Sequence, residues 1–186
     1  MLEELGLDYE HEPIDFRDHG TEKPEYLRIN PNGRIPTLRD GELTLYESMA
    51  INLYLASRYG REAGLWPSTA EGEGLAYQWS FWVMTEVEHP LLMVLMHKRV
   101  LPEDKRDPER AKRNAGLLAR PFEILEQALA GKEYLLEERF TVADLNVAAV
   151  LSWARPARYP LHDFPHLKVW SERCLARPAS KAARRK

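Results

Sequence analysis

With a single cysteine, Cys174, among its 186 residues, the chain has no internal disulfide to hold it together. A lone thiol fits a reducing compartment, so the expected location is the cytoplasm. Long apolar runs are missing too, which leaves no candidate for a membrane-spanning helix or a signal peptide. Neither a glycine-rich phosphate loop nor a Ser/His/Asp arrangement is present, so nucleotide cradling and triad hydrolysis have no residues to carry them. Excess positive charge is also lacking. The 26 Lys and Arg stand against 29 Asp and Glu, a net charge of -3, whereas a nucleic-acid platform needs a basic surface. His162, Asp163 and His166 come nearest to a metal cluster. Pro160 and Pro165 make that stretch a loop, no second cluster completes a tetrahedral set, and no metal is expected.

What is present is ordinary globular material, 44% hydrophobic and 30% charged, enough for one large or two small domains. Strand signals are confined to the first third, and beyond a Gly- and Pro-containing stretch the pattern is helical only. The division expected is residues 1–60, a linker at 61–70, and an all-helical part at 71–186. Residues 1–8 look like the end of an amphipathic helix with Leu2 and Leu5 on one face and Gly6 as the stop. Residues 9–15 read as a strand, and residues 23–29 as a short helix with Pro24 in its first turn.

The chain is organised around residues 30–59. Asn30-Pro31-Asn32-Gly33 is turn chemistry, and Asp40-Gly41 between two strand-like runs, 35–39 and 42–46, signals a hairpin. A helix follows, with Glu47 and Ser48 at its start and Ser48 as the expected cap. Pro36 has no N–H for a ladder and is a candidate for a cis bond, leaving Ile35 with free backbone groups. A helix start offers unpaired donors and partial positive charge, and a carboxylate beside it adds a countercharge for an amine. The corner suits a zwitterion.

The strings N-P-N-G-R-I-P-T-L and Y-E-S-M-A-I, in this order and spacing, resemble the glutathione-contacting half of bacterial-type glutathione S-transferases. The resemblance implies a thioredoxin-like N-terminal domain and an all-helical C-terminal domain. It implies that Ile35 pairs with the cysteinyl backbone of glutathione beside a cis Pro36. Glu47 and Ser48 would hold the γ-glutamyl end, with Arg34 near the carboxylate side. The implied activity is transfer of the glutathione thiol to a small apolar electrophile, by a homodimer. In this family a first strand and most of a first helix precede the segment resembling L-E-E-L-G-L, and the thiol-activating Tyr, Ser or Cys follows that strand. That residue would therefore lie upstream of Met1, and the role is not given to Tyr9, Tyr26 or Ser48. A glutathione-binding or structural module without turnover is the alternative.

The remainder reads as scaffold. A helix from residue 71 to about residue 99, kinked at Pro90, carries an aromatic stripe. Trp79 and Trp82 are candidates for the electrophile pocket, with core packing as the plainer role. Ala111, Ala115, Leu118, Phe122, Leu125 and Leu129 repeat as one helix that Pro121 can bend. Thr141 and Asp144 form a capping box before a helix apolar almost all round, and their role is structural. Cys174 shares a face with Leu167 and Trp170 and reads as core. The basic tail, residues 178–186, reads as a frayed terminus.

Overall fold

The computed structural model describes residues 1–15 and 18–185. Helix α1 (Leu2–Leu5) ends at Gly6, whose φ of 61° is the left-handed stop expected of glycine. Helix α2 (Pro24–Leu27) has Pro24 in its first turn, where the missing N–H costs nothing. Strands β1 (Thr37–Asp40) and β2 (Leu43–Tyr46) pair antiparallel in the register Thr37↔Tyr46 to Asp40↔Leu43. Helix α3 (Ser48–Tyr59) follows directly and buries Met49, Ile51, Leu53, Leu55 and Ala56.

Three expectations change here. Residues 9–15 form no strand: among the described residues the sheet is β1 and β2 alone, and a strand exists only through a hydrogen-bonded neighbour. The hairpin turn centres on Gly41-Glu42 rather than Asp40-Gly41. Gly41 has φ 59°, and a glycine first with an ordinary residue second is the type II′ pattern. Ile35 and Pro36 precede β1 instead of lying in it, because a residue without an N–H cannot extend the ladder.

The helical part comprises α4 (Ala70–Trp82), α5 (His89–Leu95), α6 (Pro108–Leu117), α7 (Ala119–Ala128), α8 (Val142–Leu151), α9 (Pro165–Leu175) and α10 (Pro178–Ala183). The long kinked helix is replaced by α4, a wide π-type turn over Val83–Glu88, and α5. Widening the turn accommodates the carbonyl that would otherwise meet the Pro90 ring. The single scaffold helix splits into α6 and α7, since Pro121 cannot donate to the carbonyl of Leu117 and the helix breaks at Leu118. The tail is not frayed: α10 is helical and packs on α1 and α9, while Lys186 lies outside the described residues.

Helix α8 is the centre, packed against α3, α4 and α9. Its start is held by Asp144, whose carboxylate accepts the Thr141 N–H at 3.0 Å. Both arms of the capping box are present, and the Thr141 hydroxyl also donates into the same carboxylate at 3.1 Å. Leu167, Trp170 and Cys174 of α9 are buried against this core, and burial pushes the Cys174 thiol far above its ordinary pKa, so it is inert packing. Helix α9 has no cap of its own. Glu126 of α7 supplies one, accepting the N–H groups of His166 and Leu167 at 3.1 and 2.8 Å. No helix among the described residues is long and apolar enough to cross a membrane.

Candidate functional site

The hairpin register brings the site together. Because Thr37 faces Tyr46, the residues just before one and just after the other, Ile35-Pro36 and Glu47-Ser48, meet at the open end of the same hairpin. The Ile35–Pro36 peptide bond is cis. Ile35 is 50% exposed, and among the described residues its N–H and C=O enter no backbone hydrogen bond. Its peptide edge therefore faces outward, free to pair with another extended chain.

The loop carrying Ile35 is pinned from below by two side chains that sequence reading did not assign. The Tyr26 hydroxyl donates to the Arg34 carbonyl at 2.7 Å, and the Asn30 amide donates to the same oxygen at 2.6 Å. Tyr26 also meets the Thr37 hydroxyl at 2.9 Å. Asn30 is buried and accepts the N–H of Asn32, so one side chain closes the N-P-N-G turn and anchors the segment leading out of it. Gly33 is required at φ 59°, where a Cβ would come within 3.2 Å of the Thr21 carbonyl. Asn30 was visible as turn chemistry; Tyr26 gave no signal, because its partners lie across a loop that only the fold closes. Arg34 is exposed and has no ion-pair partner among the described residues.

At the other side of the corner, one residue turns strand into helix. Glu47 has φ 71° and ψ 113°, a conformation that costs a non-glycine residue about 1–3 kcal/mol. Its carboxylate is exposed and has no ion-pair partner among the described residues. Ser48 does not cap: Glu47 is the flanking residue, Ser48 is the first residue of α3, and no side-chain cap bond forms. The reason is that β2 runs to Tyr46, leaving one residue for the corner and putting the serine inside the helix. The first backbone bond of α3 is from the Ile51 N–H to the Glu47 carbonyl, so the N–H groups of Ser48, Met49 and Ala50 point out of the helix start. Tyr54 and Tyr59 of α3 both donate to Asp40 of the hairpin, at 2.8 and 2.6 Å, fixing hairpin and helix to each other. The two phenols, Tyr59 first, hold the Asp40 pKa below the usual carboxylate range.

The corner thus offers a carboxylate, a helix start, a guanidinium and a free peptide edge, the complement of a short zwitterionic peptide in extended form. Trp79 is 8% exposed and belongs to the core; Trp82 is partly covered and meets it edge to face at 5.0 Å. Thr141 and Asp144 are fully buried at the start of α8. His166 bonds Glu126 and His162 pairs with Asp163, and among the described residues no group of His, Cys, Asp and Glu is arranged to hold a metal.

Both parts of the chain match known proteins. The family description "Glutathione S-transferase, N-terminal domain" matches residues 1–57, and "Glutathione S-transferase, C-terminal domain" matches residues 84–178. Glutathione S-transferase 3 of Zea mays is 37% identical over 96% of this chain and 83% of its own length. Glutathione S-transferase 1 of Schizosaccharomyces pombe is 31% identical, covering 97% of this chain and 86% of its own. Among solved structures, the glutathione transferase URE2P5 of Phanerochaete chrysosporium superposes with a TM-score of 0.91 at 27% identity, over 99% of this chain and 85% of that one. URE2P6 of the same organism, in complex with oxidized glutathione, gives 0.87 at 30% identity, over 99% and 86%. A hairpin-and-helix corner of this design, set on a helical bundle and matched along both parts of its length, makes the chain a member of the glutathione S-transferase family.

Proposed function

We propose that the chain binds reduced glutathione at the corner formed by Arg34, Ile35, Pro36, Glu47 and Ser48, and transfers its thiol to a small apolar electrophile. The observation that carries this reading is the convergence of the Ile35 peptide edge and the Glu47 carboxylate at the start of α3, neither of which has a partner among the described residues. Ile35 would pair with the cysteinyl backbone. Glu47 would take the γ-glutamyl ammonium, the first N–H groups of α3 and the Ser48 hydroxyl its carboxylate, and Arg34 the far carboxylate. In the transfer step the thiol proton leaves to solvent, a C–S bond forms, and the leaving group departs with its electron pair. The electrophile is assigned to the side of Trp82, the partly exposed member of the tryptophan pair. Domain limits of 1–60 and 71–186 with a linker between them, a cytoplasmic location and no metal requirement complete the reading.

The rival reading, a glutathione-binding module without turnover, has one observation in its favour. The phenol of Tyr26, which touches the loop beside Ile35, has its proton committed to the Arg34 carbonyl and cannot serve the thiolate as well. Calorimetric titration of reduced glutathione, followed by consumption of the thiol in the presence of 1-chloro-2,4-dinitrobenzene, separates the two. Saturable binding with turnover is the expected result; binding without turnover gives the rival. Tyr26→Phe should weaken binding several-fold by removing one of two donors that set the Arg34–Ile35 segment, a loss of about 1 kcal/mol. Unaltered affinity would show that Asn30 alone holds the loop.

The homodimer is proposed on the face shared by α3 and α4. An open groove of about 480 Å³ there is lined by Leu53, Tyr54, Ser57, Arg58, Arg61 and Tyr77. Tyr77 and Phe81, one turn apart on α4, are 42% and 61% exposed, and adjoining exposed rings of this kind form an apolar patch of the sort that marks an interface. Sedimentation should give twice the 21.6 kDa chain mass, and a lone monomer at micromolar concentration would remove this surface from the interface.

A further inference from the structure

Helix α8 lies in an apolar environment almost all round, yet its buried residues include Asn146, at 0% exposure. A leucine there would bury more apolar surface, so the amide must be explained by its partners. Its oxygen accepts the Asn52 amide N–H at 2.8 Å, and its own N–H donates to the Ser80 hydroxyl at 2.9 Å. Ser80, likewise at 0% exposure, passes its proton to the Ala76 carbonyl at 2.7 Å. The result is a fully satisfied chain of hydrogen bonds from α3 through α8 to α4.

Asn52 stands one helical turn after Ser48, on the same stripe of α3. Of the described side-chain hydrogen bonds of α3, only that of Asn52 reaches the helical bundle; Tyr54 and Tyr59 turn back to Asp40. Met49, Leu53 and Ala56 also bury themselves against the bundle, but apolar burial is non-directional and tolerates a rotation or slide of the helix. A hydrogen bond does not, since it weakens steeply off its angle. Tyr54 and Tyr59 tie the later turns of α3 to the tip of the hairpin, whereas Asn52 lies one turn from Ser48, so a turn of the start of α3 moves Glu47 and Ser48 relative to Ile35, whose loop is set by Tyr26 and Asn30.

We propose that the buried Asn52–Asn146–Ser80 chain is a positioning device by which the helical bundle sets the rotation of α3, and so the fit of the glutamyl end of glutathione at Glu47 and Ser48. The proposal rests on the reading of that corner as the glutathione site. Asn146 touches no substrate; it acts through Asn52.

The test is the double variant Asn52→Leu/Asn146→Leu, which leaves Ser80 bonded to Ala76 and orphans no polar group, so the fold is retained. Its melting temperature is compared with the parent, and both are titrated with reduced glutathione. The expected result is a melting temperature close to the parent's with a Kd raised about five-fold or more. A role in stability alone would leave the Kd unmoved once the apolar pair has restored packing. Should the double variant not fold, Asn52→Ser, at a half-buried position, gives the same readout, with the bond to Asn146 lost at little packing cost. A folded variant that binds as tightly as the parent overturns the positioning role and leaves the site assignment standing. A folded parent that does not bind glutathione overturns both.

Discussion

Asp144→Ala is expected to lower the unfolding free energy by about 3–5 kcal/mol, the summed cost of leaving several buried donors without an acceptor. The carboxylate is 0% exposed and accepts from the N–H groups of Leu135 and Thr141, the Thr141 hydroxyl and the Trp170 indole N–H, at 2.8, 3.0, 3.1 and 2.9 Å. Alanine orphans all of these donors at once, in the most buried part of the molecule, where water cannot replace the oxygen. Burial pushes the Asp144 pKa up, while the donors from Leu135, Trp170 and Thr141 pull against it. A carboxyl raised in this way contributes most below its unfolded value near 3.8 and loses that part as pH rises through the folded value. The loss on substitution comes from the orphaned donors, and it is a large share of a typical total of about 5–15 kcal/mol. Thr141→Ala removes only one arm of the box and should cost about 1 kcal/mol, with glutathione affinity unchanged in the folded fraction. Denaturant unfolding of the two variants checks both figures. An Asp144→Ala loss no larger than that of Thr141→Ala would mean the network is locally replaceable.

Glu47→Ala should weaken reduced glutathione by about 1.5–3 kcal/mol, roughly ten- to 150-fold in Kd, through loss of a charge-assisted contact to the ammonium group. The side chain is exposed, so the effect should shrink at high salt. A second variant separates charge from backbone. Glu47→Gly removes the same carboxylate but also relieves the φ of 71°, so it should bind as poorly as Glu47→Ala while being more stable by about 1 kcal/mol. Strain at a carboxylate with no ion-pair partner among the described residues is intelligible if the side chain is held out for a ligand. Calorimetric titration alongside thermal unfolding reads both quantities. If alanine binds glutathione as the parent does, the γ-glutamyl end lies elsewhere and the corner has been misassigned.

The sequence by itself determined what depends on near neighbours. The N-P-N-G turn, the hairpin, the helix starting beside Glu47 and the capping box of Thr141 and Asp144 are each specified within a few residues, because turn and cap chemistry act over one turn of chain. The all-round apolar pattern of residues 142–151 likewise announced a central helix, since only burial on every side makes such a pattern stable. Errors began where a partner was needed. Residues 9–15 look like a strand yet join no ladder among the described residues, the tail is helical because α1 and α9 receive it, and Ser48 fell inside α3 because the single residue Glu47 makes the whole corner between β2 and the helix. Periodicity reports that a face is buried but not against what. Tertiary structure alone decided that Tyr26 would pin the Arg34 carbonyl eight residues away, and that Asn52 would meet Asn146 ninety-four residues on. Those contacts carry no local signature, because a hydrogen bond between distant side chains exists only after apolar burial has brought their helices together.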